Sequence, residues 1–499
     1  MDFNIKNFTA EIICDGAVKD AHIETECSEK GFELYLTATN DKPKYIKLHW
    51  NVEPDKNTLV LGDTWERSYG DLGFLKLEEN DRPMPWYFIS TDGKSCFCLG
   101  VKTGCNSFVS FRYDKNGISA LVDVRNGGNG VHLGGRKLLA ASFICELYDN
   151  DDVIENLKDF CRKMCTEAIL PDCRIYGGNN WYYAYGKSNY NQIISDAKFQ
   201  AELGEGIGNK PFQVIDDCWQ KNKCAGPWYP NRKFKDMKKL ADEIKEIGAR
   251  PGLWVRLLRN KDRKIKKEWR ILRKGRRQYL DPTHPEAQAY IRDDVERVRD
   301  WGYELLKHDF TTVDLFGDFG PNMGDRSTRI DGWHFYDKTK TNAEIVLNFY
   351  RLIKDAAGDM LIIGCNTISH LSAGLVHIYR TGDDTSGVEW DRTRVMGVNT
   401  LAFRLAQNEI FYMCDADCVG IIEGKIPWEK NSQWLQLLSY SNTPLFISCT
   451  DKINEKQKND LRKAYITFNK NHGFKPLDIF ETKTPRKWEI DGKTVTYEW

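Results

Sequence analysis

Two changes of rhythm along the chain predict a multidomain architecture: an N-terminal antiparallel β-sandwich, a central (β/α)8 TIM barrel and a short C-terminal β segment. Up to residue 150, apolar and polar residues alternate with period two and Gly, Asn and Asp turns lie between, which is the pattern of half-buried strands. From Pro171 the pattern becomes strand then helix, repeated eight times over about 300 residues, the count of a closed parallel barrel. After Phe474 only two or three short strand-like runs remain. The expected boundaries are 1–150 for the sandwich, 151–170 for a linking helix, 171–470 for the barrel and 471–499 for the appendix.

In the first part, Ile46, Leu48, Trp50 and Val52 alternate with Lys47, His49 and Asn51, and the runs beginning at Phe32 and Ile118 behave alike. Two sheets packed face to face bury such residues. Gly128-Asn-Gly-Val-His-Leu-Gly134 has neither the spacing nor the following helix of a phosphate loop, so it reads as a turn. The aromatic and charged loops 64–71 and 82–86 are candidates for a rim over a neighbouring site. Val153, Ile154, Leu157 and Phe160 share one face of the linking helix.

The eight expected barrel strands are 174–181, 212–217, 252–256, 303–309, 361–366, 377–383, 411–415 and 445–449. Helices are expected near 188–204, 233–247, 285–301, 341–357, 391–407, 427–440 and 453–468. Asp281-Pro-Thr-His-Pro285 is a helix start, with a capping hydroxyl ahead of a first-turn proline. The densely basic run 259–277 is expected to form a solvated or subunit-facing helix.

Composition narrows the function. Lys plus Arg and Asp plus Glu each number 72, and the zero balance removes the whole-chain electrostatic case for nucleic acid or an anionic membrane. Apolar runs stay short of membrane-spanning length. The start, Met1-Asp-Phe-Asn-Ile-Lys, lacks a basic and then apolar leader, and fifteen scattered cysteines do not make a disulfide framework. A cytoplasmic location is expected. Aromatics reach 12% with 15 Trp, a supply of flat faces suited to sugar rings.

The chemistry is expected where the strands end. In Tyr303-Glu-Leu-Leu-Lys-His-Asp309, alternation sends Lys307 and Asp309 to one face and His308 to the other. Strand two ends in Asp216-Asp217, whose carboxylates can accept several hydroxyl hydrogen bonds. Strand one brings Trp181 and Tyr182, strand three Trp254, strand five Cys365-Asn366, and strand six Arg380-Thr-Gly-Asp383-Asp384. Parallel barrels keep their chemistry on this rim. Carboxylates, a lysine, an arginine and aromatics, without a His cluster of metal-ligand spacing, compose a sugar-cleaving pocket rather than a metal site, and no cofactor is expected. Cys218, Cys224, Cys414 and Cys418 are too loosely spaced for zinc and read as buried thiols.

These motifs, in this order, resemble the retaining α-galactosidases of glycoside hydrolase families 27 and 36, and a preceding β-sandwich makes family 36 the closer likeness. The resemblance implies an exo-acting enzyme that removes terminal α-linked galactose by double displacement. It implies Asp309 as nucleophile, Asp384 as acid/base, Arg380 as a 2-hydroxyl ligand, Lys307 as a hydroxyl ligand and Asp216 and Asp217 as ligands of O4 and O6. Trp181, Tyr182, Trp254 and Cys365 become pocket residues, and Trp65 the aromatic that the sandwich extends over the pocket. The chain departs from the pattern at His308, at Asn366 near the sugar's 2-position, at Asp383, which offers a second acid beside Asp384, and in its reduced C-terminal β region. Galactose and N-acetylgalactosamine, and hydrolysis and transglycosylation, stay open on these grounds, as does homo-oligomer formation. A metal-dependent barrel hydrolase and a non-catalytic carbohydrate-binding protein are the contrasting alternatives. The partner implied is an oligosaccharide or glycoside.

Overall fold

The computed structural model describes residues 3–273, 275 and 278–499. Its first part is a sandwich of a five-stranded and a seven-stranded sheet whose pairings are all antiparallel. In the strand Pro43–Trp50, Ile46, Leu48 and Trp50 are buried and Lys47 is exposed, as period two requires. Phe32, Phe143, Phe111 and Phe88 pack between the sheets through edge and stacked contacts. A helix, Val153–Met164, leads from the sandwich to the barrel, capped at its start by the Asp152 carboxylate, which accepts from the Glu155 N–H.

The barrel strands are Tyr176–Asn179, Phe212–Ile215, Arg250–Val255, Leu305–His308, Leu361–Gly364, Ile378–Arg380, Met413–Asp415 with Cys418–Gly420, and Leu445–Ser448. Neighbours pair in parallel in chain order, and strand eight pairs with strand one. The seventh stave is split. Met413–Asp415 pairs with strand six, and Cys418–Gly420 pairs with strand eight. The ring therefore closes through a break at Ala416 and Asp417, where Asp417 takes a φ of 76°.

Helices at Tyr190–Leu203, Met237–Ile247, Pro285–Asp300, Asn342–Ala357, Trp428–Tyr440 and Glu455–Phe468 lie where expected. Three local expectations need correction. The helix expected over 391–407 is segmented: a turn at Trp390–Thr393, a π stretch at Arg394–Val398, a further α turn and a 3-10 turn. Gly397 lies against the Trp434 ring, so the backbone comes as close there as a missing Cβ permits. The helix Pro285–Asp300 opens on its proline as expected, but Thr283 gives its hydroxyl to Asp281 and does not cap. Among its described residues the basic run forms no α-helix either. Its described residues run as a loop holding a 3-10 turn, Lys267–Trp269, with bridges from Arg259 to Tyr279 and from Arg270 to Leu280, while Lys274, Arg276 and Arg277 lie outside the described residues. Like-charged neighbours gain nothing from helical spacing, and the loop instead closes on Leu258 and Asn260 through backbone bonds.

After the barrel, Phe474–Pro476, Lys487–Ile490 and Lys493–Thr496 form a three-stranded antiparallel sheet. Among the described residues no helix is long and apolar enough to cross a membrane.

Sandwich and barrel are tied by a short segment, residues 63–69. The buried Arg404 of the barrel pairs with Asp63 at 2.9 Å and donates to the carbonyls of Glu66 and Thr381. Ser68 forms a parallel bridge with Gly382, its N–H donating to Thr381 O (2.8 Å) and its carbonyl accepting from Asp383 N (3.0 Å). A loop of the sandwich thus runs as an extra edge along the chain that carries Asp383 and Asp384.

Candidate functional site

Strand alternation sorts the barrel residues into two sets. Phe212, Val214, Leu305, Leu361, Ile363, Ile378, Met413, Cys418 and Phe446 form one apolar cluster inside the ring. Leu253, Leu306, Ile362 and Tyr379 belong to the larger core around it. Two residues beyond the inward set, the same register gives Asp216, Lys307, Cys365, Arg380, Asp415 and Ser448, and Trp254 follows Gly252 in the same way. A floor of apolar side chains thus carries one polar layer, contributed by strand after strand, at the C-terminal mouth. His308, on the other register, faces Phe349 and Tyr350 at 6.1 and 5.6 Å between rings. Burial pushes its pKa down to about 3.

Just past the strand ends, Phe310, Asn366 and Asp417 have left-handed backbones, with φ of 67°, 49° and 76°. These turns, unfavourable for residues with a Cβ, fold the chain sharply and hold the polar layer at the mouth.

Asp309 is held by neutral donors. Trp254 Nε1 donates to Oδ2 at 3.0 Å, and Asn366 Nδ2 (2.6 Å) and Phe310 N (2.7 Å) donate to Oδ1. The Asn366 backbone is itself fixed, since its main-chain carbonyl accepts from Thr312 N and Thr312 Oγ1. Lys307 Nζ donates to Asp216 Oδ2 at 2.8 Å, and Asn179 Nδ2 reaches the same oxygen at 3.0 Å. Burial works against the Lys307 charge, but Asp216 and then other neighbours including Asp309 outweigh it and hold its pKa above the usual lysine value. Asp217 Oδ1 accepts from Cys218 N, Gln220 Nε2 and Cys224 N, which pins the hairpin Gln220–Pro230 to the rim.

Asp384 sits among cations. Arg67 Nη1 and Arg380 Nη2 both donate to Oδ1 at 3.2 Å, and the side chain is 42% exposed. Burial raises its carboxyl, yet Arg380, Arg67, Lys307 and Arg392 together hold it below the ordinary carboxylate range. Asp383 faces elsewhere, bonded to Arg67 at 3.0 Å and Arg392 at 2.5 Å. Arg380 continues inward to Asp417 at 2.6 Å. The Asp417 Oδ2 also accepts from Tyr182 Oη and from Thr385 N and Oγ1. Asp415, beside it, is pushed up to about 6 by burial, against the pull of Arg380.

The expected residues Asp216, Trp254, Lys307, Asp309, Cys365, Asn366, Arg380 and Asp384 therefore converge on one mouth. Tyr182 joins them through Asp417, and Trp181 lies at the rim beside Tyr185, ring centroids 5.4 Å apart. Trp65 does not extend over the mouth. It is buried between sandwich and barrel, edge-on to Trp86 at 4.9 Å, with its Nε1 donating to Gly324 O. An apolar ring gains more from that interface than from the rim, and Arg67, two residues on, reaches the mouth instead. Sequence reasoning also missed Asn179, Asp415, Asp417 and Arg392. Asp415 ends strand seven as Asp309 follows strand four, so the strand-end rule applied there would have found it.

No protein-family model matches this sequence, and no curated protein does. Solved structures do match in fold. The α-galactosidase TtGalA of Thermus thermophilus, solved with p-nitrophenyl α-D-galactopyranoside, has a TM-score of 0.64 at 15% identity, over 98% of this chain and 99% of that one. The GH36 α-galactosidase AgaA of Geobacillus stearothermophilus gives 0.60 at 14% identity, over 88% and 65%. The α-galactosidase of Lactobacillus brevis gives 0.58 at 11%, over 93% and 70%. At these identities what is shared is the fold: sandwich, barrel and their arrangement.

Proposed function

We propose that this protein is an exo-acting retaining glycoside hydrolase that removes terminal α-linked galactose. The observation that carries the reading is that Asp309 and Asp384 follow strands four and six at one barrel mouth, with the Lys307–Asp216 pair, Arg380 and Trp254 bonded around them. Strands four and six are separated by strand five, so their backbones lie about 10 Å apart. Two carboxyl side chains reaching in from that span suit the roughly 5–5.5 Å separation of a retaining pair.

In the first step the Asp309 carboxylate attacks the anomeric carbon, the bond to the leaving oxygen breaks, and that oxygen takes its electron pair and the proton of Asp384. In the second, water attacks the same carbon, Asp384 takes the water's proton, and Asp309 leaves as carboxylate. Esterification removes the negative charge of Asp309, which lowers the proton affinity of Asp384 and suits its change from acid to base. Asp216, Asp217 and Lys307 hold sugar hydroxyls, and Arg380 holds the 2-hydroxyl. Trp181, Tyr182 and Cys365 complete the pocket wall. Asn366 gives an amide N–H to Asp309 and lines the pocket beside it.

The test is a panel of aryl α-glycosides (galactose, N-acetylgalactosamine, glucose, arabinose) with the anomer of the first-formed product read by NMR. Release from the galactoside with the α-anomer first is the expected result. Inversion, or no turnover with any member, would sink the reading. Turnover of the N-acetylgalactosamine glycoside alone would replace its sugar.

A further inference from the structure

From the rim to the floor of the mouth runs a chain of alternating charges: Arg392, Asp383, Arg67, Asp384, Arg380, Asp417. Its links measure 2.5, 3.0, 3.2, 3.2 and 2.6 Å in that order. Asp384 is its loosest member. Both of its links are the long ones, both fall on Oδ1, and no donor among the described residues reaches Oδ2. Every other member of the chain comes from the barrel, whereas Arg67 comes from the sandwich.

Arg67 is placed with little freedom. Its side chain is 8% exposed. The residue before it, Glu66, is buried and accepts from Gly320 N at 2.9 Å and Tyr69 Oη at 2.8 Å. The residue after it, Ser68, is bonded on both sides to the strand-six segment, and Arg404 holds Glu66 O and Thr381 O together. Four anchors for one arginine indicate a position that matters at its tip.

We propose that Arg67 is a positioning residue for Asp384: it draws Oδ1 toward the sandwich and turns Oδ2 toward the leaving group, so that proton donation in the barrel depends on a residue of another domain. This rests on the reading of Asp384 as acid/base. Arg67 is also one of the cations that oppose protonation of Asp384, beside Arg380, Lys307 and Arg392. Also facing that carboxyl are Tyr182 and Tyr185 and, across the mouth on the proposed reading, Asp309, with Asp383 behind Arg67 and Asp417 behind Arg380. Removing Arg67 therefore leaves Asp384 protonated to higher pH but badly aimed.

The experiment compares the full-length chain with its Arg67→Met, Arg67→Lys and Asp384→Asn variants. Each is assayed across pH on a galactoside with a sugar leaving group, which needs a proton, and on a 2,4-dinitrophenyl galactoside, which does not. For Arg67→Met, kcat/KM on the sugar-leaving substrate should fall about tenfold or more at its optimum, and the alkaline limb should move up by about one pH unit or more. The dinitrophenyl substrate should fall much less, and Arg67→Lys should recover part of both changes. An unmoved alkaline limb, or an equal fall on both substrates, overturns the inference, because misfolding or lost sugar binding would give that result. If Asp384→Asn loses both substrates equally, the acid/base reading fails and the inference with it. If Asp384→Asn shows the leaving-group difference and Arg67→Met does not, only the inference fails.

Discussion

Asp309 and Asp384 both follow strand ends on the same mouth, Asp309 directly after His308 and Asp384 in the loop after Arg380, yet opposite chemistries hold them. Three neutral N–H donors fix both oxygens of Asp309. Two guanidinium groups share one oxygen of Asp384 and leave its side chain half exposed. Neutral donors fix the direction of a carboxylate while adding little net charge, which fits the nucleophile role proposed for Asp309. Cations add charge at longer reach and leave an oxygen open. They also hold the carboxyl below its ordinary range, so protonation of Asp384 for the proposed first step works against Arg380 and Arg67. Two acids of the same residue type on the same rim thus differ in what donates to them.

The largest effect expected concerns the neutral side of the pair. Asp309→Asn should lower kcat by about 10⁴-fold or more while calorimetry still detects binding of a galactose-like inhibitor; near-normal turnover would reverse the assignment. Asp384→Asn should cost about 10²–10⁴-fold on sugar-leaving substrates, and an activated leaving group should restore most of the first step. If Asp383→Asn shows that restoration instead, the acid is one residue earlier. Asp417→Asn weakens the far end of the charge chain. Leaving Arg380 buried without its partner carboxylate should cost roughly 3–5 kcal/mol in thermal or denaturant unfolding, with kcat/KM down by up to about 10²-fold. A variant of wild-type stability would mean that Arg380 needs only Asp384.

Asn366→Ala tests the neutral donors directly. Losing one hydrogen bond to a carboxylate, about 1.5–3 kcal/mol, should lower kcat roughly ten- to a hundredfold without moving the alkaline limb. A moved alkaline limb would show that Asn366 acts on Asp384 as well. The smallest expected effect is at the outward residue. His308→Phe should leave activity within about twofold, because the ring lies behind the strand. Its folded pKa of about 3 is below the unfolded value near 6.5, so the unfolded chain binds the extra proton, and stability falls as pH drops through that window. The variant should therefore unfold at lower pH in an acid titration followed by circular dichroism; an unchanged midpoint would assign acid unfolding to other groups, such as the buried His370 with its pKa lowered to about 4.

Much of the mouth was legible along the chain because strand alternation is a local rule. Lys307 and Asp309 on one face with His308 on the other required only period two, while Trp254 and Arg380 were found as residues at the ends of strands three and six. Helix breaks were less legible. The segment 391–407 has helical composition, but Gly397 meets the Trp434 ring, a contact between residues far apart in sequence. Trp65 was misplaced for the same kind of reason. A tryptophan in a charged loop suits a rim or an interface equally, and only the packing of Trp86 and Phe108 against it decides.

The order of strands, the side to which each strand-end residue faces and the kind of chemistry they offer were therefore contained in the linear pattern, because each depends on neighbours two to four positions away. Closure of the ring through the split stave at Asp417, the arrival of Arg67 from the sandwich and the division of donors between Asp309 and Asp384 were decided in three dimensions. Those features join residues up to 317 positions apart, and no local periodicity carries information over such a distance.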